Sequence, residues 1–302
     1  MVLVTSAMGK VGRVMATELA KAGFEVRATD INPKVEELLD CGIKEVMVGD
    51  ARDEDFVRAT MRGCDQVAYV PPMMLYDEDE IGILAIDCAL AEGVKQFVQL
   101  SVTHPGLSGL LQHKKKLIIE EHLKLVGFQN NWNFTILQPL HYSYNVIVPL
   151  ILNSGKYENW KPLDRKLGYV DVLDVVEATK VVLSEGDKHQ FASYELCGPS
   201  YLSINEIADL LKKMSGRDFE TIWYDRKHMF SGVFENFINS SHDSYSRRGA
   251  MAIRDVYNEW GFAANKNVLE WLIGRPAYTM EDHIARELKK MGLPVYNYDG
   301  EV

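Results

Sequence analysis

Residues 4–12 read VTSAMGKVG, between an apolar run, MVLV, and an amphipathic stretch, RVMATELAKAG. A strand, a tight turn with glycine and a helix start are what the pyrophosphate of a dinucleotide requires. Gly9 would let the backbone approach the phosphates, and Gly12 would let the helix pack close to the strand. Thr5, Ser6 and Met8 complete the turn, and the amides of Lys10 and Val11 open the helix. Ser6 stands where a first glycine is usual. A bare G-x-x-G also suits an ordinary strand–helix connection, but its place after the first strand of an alternating pattern favours a nucleotide.

Asp30 ends the second apolar run, FEVRATD. A carboxylate there can accept bonds from both hydroxyls of the adenosine ribose and would repel a 2′-phosphate, which predicts NAD. It equally suits a turn before Asn32–Pro33. Lys10 and Arg27 could instead serve a 2′-phosphate, so NADP is not excluded. Asp50 and Ala51 follow the third strand, where they could face the adenine. DARDED also suits a helix N-terminus, whose dipole favours carboxylates. Val70, Pro71 and Pro72 could wall the nicotinamide side, or simply stop a strand.

These residues fall at the ends of predicted strands at 2–4, 24–30, 45–50, 66–72, 95–102 and 133–139. Predicted helices follow the opening turn and cover 33–42, 53–63, 80–93 and 110–127. Near-continuous apolar strands between amphipathic helices predict a doubly wound parallel α/β sheet, a Rossmann fold, with ligands at the carboxyl ends of the strands. Ser101 and Pro139–Tyr142 are further strand-end positions. Beyond residue 150 the pattern changes. A strand and helix fall in 167–186 and a strand in 192–199. Ser203 with Glu206 forms a capping box, and Thr279 can cap the last helix. This predicts a nucleotide-binding domain over 1–150 and a smaller mixed α/β substrate lobe over 151–302, interleaved with the first.

The net charge of -10 argues against a general nucleic-acid binder. Cys41, Cys64, Cys88 and Cys197 are scattered, without a metal-ligand or redox spacing, as expected of reduced thiols in a cytoplasmic protein. The N-terminus enters a strand with no basic n-region or apolar h-region. VIVPLIL (146–152) is too short to span a bilayer, so no membrane partner is expected. The helices at 80–93 and 110–127 could pair in a homodimer.

The order of TSAMGKVG, VGDARDEDFVRATMRGCDQVAYVPPMM, GVKQFVQLSV, HKKKLIIEEHL and FTILQP resembles the NmrA-like branch of the atypical short-chain dehydrogenases. YVDVLDVVEA (169–178) and NVLEWLIGRPAYTMEDHI (267–284) extend the resemblance over almost the whole chain. It implies NAD or NADP in an N-terminal Rossmann domain. Members include reductases of quinones, dyes and other small molecules, and redox-sensing regulators. The branch's usual turn is TGxxGxxG, from which Ser6 departs. The wider superfamily uses a Tyr-x-x-x-Lys pair. Aligning Lys116 with that lysine, which holds the nicotinamide ribose, puts Gln112 at the tyrosine, and an amide is no acid. His113 and Tyr142 are alternative proton donors, and Ser101 matches the superfamily's active-site serine.

Lys114–Lys116 point about 100° apart on a helix, so at most one or two enter a site; by default such a run is a solvated face. His141, Tyr142 and Tyr144 follow the sixth strand and could line a substrate pocket. Trp223, Tyr224, Phe230, Phe234 and Phe237 could add a flat aromatic wall, or be core. The leading expectation is an NAD(P)-dependent oxidoreductase acting on a small aromatic or conjugated, carbonyl- or quinone-like molecule. A non-catalytic NAD(P) sensor, or non-redox chemistry with resident NAD, are the rivals.

Overall fold

The computed structural model describes residues 1–225, 227–228 and 244–300. Phe230, Phe234 and Phe237 lie outside the described residues. Two compact units result. One joins Met1–Pro139 to Val172–Glu195, the other joins Leu140–Asp171 to Leu196–Val302.

The first unit is built on β1 (Val2–Val4), β2 (Val26–Asp30), β3 (Glu45–Val48), β4 (Gln66–Tyr69), β5 (Gln96–Leu100) and β6 (Asn133–Pro139), all parallel. The order is β6-β5-β4-β1-β2-β3, and a seventh strand, Ala192–Leu196, lies outside β6. The order reverses between β1 and β4, which opens a crevice at their carboxyl ends. Both faces are covered, so the strands read as unbroken apolar runs rather than as alternation. Leu3, Val67, Tyr69, Phe97, Phe134 and Ile136 point into one core with α2 (Glu54–Met61), α3 (Glu78–Ala91) and α4 (Leu111–Asn130). On the other face α1 (Lys10–Lys21) packs beside the helix Val172–Glu185. That helix and the seventh strand return the chain to the first unit. The first unit runs to Pro139 and takes back 172–195, beside the expectation of a division at 150 with interleaved lobes.

The segment expected as a helix at 33–42 is a 3₁₀ helix, Pro33–Cys41, capped by the Asn32 side chain and closed by Gly42 in the left-handed region. Asp53 caps α2 through the amides of Asp55 and Phe56.

The second unit holds β7 (His141–Tyr142), β8 (Lys156–Asn159), β9 (Leu167–Val170) and, numbering the seventh strand β10, β11 (Tyr201–Leu202) and β12 (Glu220–Trp223). They form two small sheets, β11-β9-β7 and β12-β8. With α5 (Val148–Ser154) in this unit and α6 the helix Val172–Glu185, its remaining α-helices among the described residues are α7 (Ile204–Ser215), α8 (Ser244–Trp260), α9 (Asn267–Ile273) and α10 (Met280–Lys290). Ser203–Glu206 and Thr279–Asp282 form complete capping boxes. Among the described residues no helix is long and apolar enough to cross a membrane.

Candidate functional site

The opening turn is built as a cradle. Thr5 Oγ1 accepts from the Val70 amide and donates to the Val70 carbonyl, tying the ends of β1 and β4 together. Ser6 has φ 47°, in the left-handed region where glycine is at ease. This is the physical reason for the usual glycine, and serine occupies the same conformation at a cost of about 1–2 kcal/mol. Gly9 is the N-cap of α1, with φ -67°, and no side chain caps the helix. The first turn holds no acidic residue. An uncapped helix start with Lys10 in its first turn has the dipole and N–H geometry that suit an anion.

The two glycines do different work. A Cβ on Gly12 would lie 2.1 Å from the Ser6 carbonyl oxygen, so Gly12 lets the helix sit against the turn. A Cβ on Gly9 would meet only that oxygen, at 3.1 Å, and Gly9 lines a cavity of about 280 Å³. The cavity lies at the carboxyl ends of β1 to β4. Thr5, Ser6, Asp30, Asp50, Ala51, Val70 and Pro72 border it, as do Ile31, Arg52, Tyr69 and Met73. Met8, Lys10, Val11, Gly12, Pro71, Pro139 and Lys116 are not among its lining residues.

Asp30 accepts from the Met8 amide at 2.8 Å and the Asn32 amide at 2.9 Å. It thus holds the glycine turn and its own loop together while facing the cavity. Arg27 is committed elsewhere, to Glu45 and to the carbonyls of Thr60 and Arg62, so it does not serve a 2′-phosphate. Arg52 bonds Asp77 through Nε at 2.5 Å and reaches Asp50 at 3.4 Å, joining the loop after β3 to the start of α3.

Gln112, Lys116 and Glu120 are four residues apart on one buried face of α4. Lys116 Nζ donates to Glu78 Oε1 at 2.5 Å, and Glu78 is fully buried. Lys115 pairs with Asp79 at 2.6 Å, and Lys114 is exposed. Two of the three lysines are therefore matched by the acidic start of α3, and Lys114 faces solvent. Glu78 Oε2, Gln112 Oε1, the Tyr69 hydroxyl and both ends of Gln99 are buried without a partner among the described residues. Tyr69 and Gln99 are register neighbours in β4 and β5. Burial first, and Glu78 second, push the Tyr69 phenol far above its ordinary pKa.

Ser101 Oγ donates to Glu120 Oε1 at 2.5 Å, and Gln138 Nε2 donates to the same oxygen at 2.8 Å. The Ser101 proton is thereby spent on a carboxylate. His113 Nδ1 lies 3.3 Å from the His104 carbonyl. Burial above all lowers the His113 pKa to about 4, so the ring is neutral at pH 7 and carries no spare proton there.

In the second unit, Tyr142 stacks on Tyr144 with centroids 4.8 Å apart. Burial raises both phenols above their ordinary pKa, well above for Tyr142, which makes each a weaker acid. His141 Nε2 lies 2.6 Å from Lys161 Nζ. Trp223 is exposed, and the Tyr224 hydroxyl donates to Glu158 at 2.8 Å.

The model of the NmrA-like family matches residues 1–292. The chain belongs to the NmrA-like family. Quinone oxidoreductase 2 of Escherichia coli (strain K12) is 25% identical to this NmrA-like chain over 297 residues, covering 94% of it and 98% of the relative. The (4-alkanoyl-5-oxo-2,5-dihydrofuran-3-yl)methyl phosphate reductase of Streptomyces griseus is 28% identical over 232 residues, 74% of this chain and 78% of its own. The triphenylmethane reductase of Citrobacter sp., solved with NADP(H), superposes with a TM-score of 0.77 at 18% identity, over 95% of this chain and 100% of that one.

Sequence reasoning on this NmrA-like chain passed over Glu78, Arg52 and Lys161. The acidic run DEDE (77–80) opposite KKK (114–116) was a usable signal for Glu78. Nothing local marks Lys161, which meets His141 only through the pairing of β7 with β9 and the loop after β8.

Proposed function

We propose that the chain is an NAD(P)H-dependent reductase of a small conjugated carbonyl or quinone-like molecule. The observation that carries this is the uncapped start of α1, opening through Gly9 onto the cavity beside Asp30. The residues fit a dinucleotide. Backbone amides at 10–12 would hold the pyrophosphate, Asp30 the adenosine ribose, and Asp50 and Ala51 the adenine side. Val70, Pro71, Pro72 and Pro139 would wall the nicotinamide end, and Lys116 would steady its ribose. The bound reduced nicotinamide supplies the hydride.

The relatives' names, a quinone oxidoreductase and two reductases, support the class of reaction. Asp30 favours an unphosphorylated ribose, although the Citrobacter protein was solved with NADP(H). Gln112 cannot replace the missing tyrosine. Ser101, bonded to Glu120, can offer only lone pairs, so it orients rather than protonates. His113 stays neutral. An activated acceptor, whose reduced oxyanion is stable, suits such a site because it demands little acid assistance. His141, Tyr142 and Tyr144 are assigned to the substrate, with the second unit as the substrate lobe.

One observation favours a second reading, a cofactor-binding sensor. The Lys116 and Ser101 bonds both end on buried carboxylates, as in a purely structural network. Steady-state oxidation of NADH and NADPH with a panel of quinones and aromatic carbonyls separates the two. Substrate-dependent oxidation supports the reductase. Tight NADH binding with no oxidation across the panel replaces it with the sensor.

A further inference from the structure

Lys161 is 7% exposed, and its amine is bonded to a neutral group rather than to an acid. Its Nζ lies 2.6 Å from His141 Nε2, and its own amide donates to Asn159 Oδ1 at 3.0 Å. Among the described residues no carboxylate pairs with this amine. Rings surround it instead. Nζ stands 5.7 Å from the Trp160 centroid and 5.9 Å from that of Tyr257. His141 meets Tyr169 and Tyr257 edge-on, at 5.4 and 5.9 Å. The Tyr169 hydroxyl is buried without a partner among the described residues. Asn145, which is exposed, brings its Nδ2 to 3.4 Å from Nε2 of the half-buried His141.

A buried cation normally finds a carboxylate, because leaving it unpaired is expensive. Here the ionisable neighbours are His141 from β7, Tyr169 from β9 and Tyr257 from α8, with Tyr157 of β8 acting on Tyr169. None is an anion at neutral pH, since burial raises the phenols. Burial alone brings Lys161 down to about 7, and burial, then Lys161, holds His141 well below its ordinary value. Protonated, Lys161 donates to the Nε2 lone pair; neutral, it accepts from an Nε2–H. The pair stays bonded either way, and a second acceptor would complete the ammonium's set.

We propose that Lys161 and His141 form an anion receptor in the second unit, taking the negative oxygen of a small aromatic molecule such as a carboxylate or phenolate. The rings receive the flat body, and the amine receives the charge. An anion beside Lys161 stabilises its protonated form, so binding above neutral pH draws in a proton. The inference deepens the assignment of His141 to substrate, and it needs neither cofactor nor turnover to be tested.

The probe is benzoate, with benzamide as its uncharged counterpart, titrated calorimetrically into the full chain at about pH 8 in buffers of different ionisation enthalpy. Benzoate should bind about tenfold or more tightly than benzamide, with uptake of about one proton. Lys161→Met should remove both the preference and the uptake. Should that variant not fold, competitive acetylation of the wild-type chain decides. Lys161 should be labelled with a midpoint near neutrality and be protected by benzoate but not by benzamide. Labelling of Lys161 unaffected by benzoate, or proton uptake that persists in folded Lys161→Met, would overturn the proposal. Failure here with active NADH oxidation removes only the receptor; intact binding with no oxidation removes only the reductase.

Discussion

Lys116 Nζ and Glu78 Oε1 stand 2.5 Å apart, joining α4 to the first turn of α3 in the interior of the first unit. Breaking a buried pair from one side costs about 3–5 kcal/mol, because the partner is left charged and uncompensated. Lys116→Met and Glu78→Met should each lower stability by that order. The double variant should recover most of the loss, since two apolar side chains replace two charges. Urea unfolding of the four proteins checks this. Loss of turnover in Lys116→Met alone is therefore no proof of a ribose contact. Turnover in the refolded double variant is the cleaner reading.

Gly9 and Gly12 should separate binding from folding. Gly12→Ala places a Cβ within 2.1 Å of the Ser6 oxygen and should disrupt the turn and the docking of α1. Gly9→Val has an allowed backbone and a single contact at 3.1 Å, so the fold should survive. Its side chain would occupy the phosphate cradle. Calorimetry should show NADH affinity lost in folded Gly9→Val, and circular dichroism should show Gly12→Ala the less stable of the two.

Asp30 should set cofactor choice through charge and the turn through hydrogen bonds. Asp30→Asn keeps an acceptor for the Met8 or Asn32 amide and removes the charge that repels a 2′-phosphate. Fluorescence titration should show the wild type preferring NADH, and Asp30→Asn narrowing the gap by improving NADPH. A wild type that prefers NADPH would reduce Asp30 to a turn residue.

His113 should act as an acid-sensitive weak point. Its folded pKa, lowered to about 4 chiefly by burial, lies below the ordinary 6.5. The unfolded chain therefore takes up the proton first as pH falls. The stabilisation is full above about pH 6.5 and fades down to about pH 4, by about 3 kcal/mol in all. His113→Asn keeps a donor for the His104 carbonyl and should flatten the urea-midpoint profile across that window.

The parallel sheet, its order of helices and the place of the glycine turn were legible because each rests on local pattern. Apolar runs mark strands buried on both faces, and Ser203–Glu206 marks a helix start within four residues. Interleaving of the two units was expected, but which segment returns to the first, 172–195, was not legible. Neither a helix nor a strand announces which sheet it joins. For the same reason Arg27 reads as a phosphate ligand until its fork is seen on the carbonyls of Thr60 and Arg62. Lys116 was found by alignment with a motif, but Glu78 emerges only when α3 and α4 are side by side. Lys161 and His141 are twenty residues apart in sequence, and they meet only where the loop after β8 passes β7.

The central claim is that the cavity at Gly9 and Asp30 holds a dinucleotide whose hydride goes to a small acceptor. The most direct measurement uses NADH deuterated at C4, incubated with the protein and a quinone that supports turnover, with NADPH in parallel. The account predicts enzyme-dependent transfer of the label from the cofactor, a primary isotope effect on oxidation, and loss of both in Gly9→Val. NADH bound tightly at the Gly9 turn, with no label lost from it under any acceptor in the panel, would contradict the reductase.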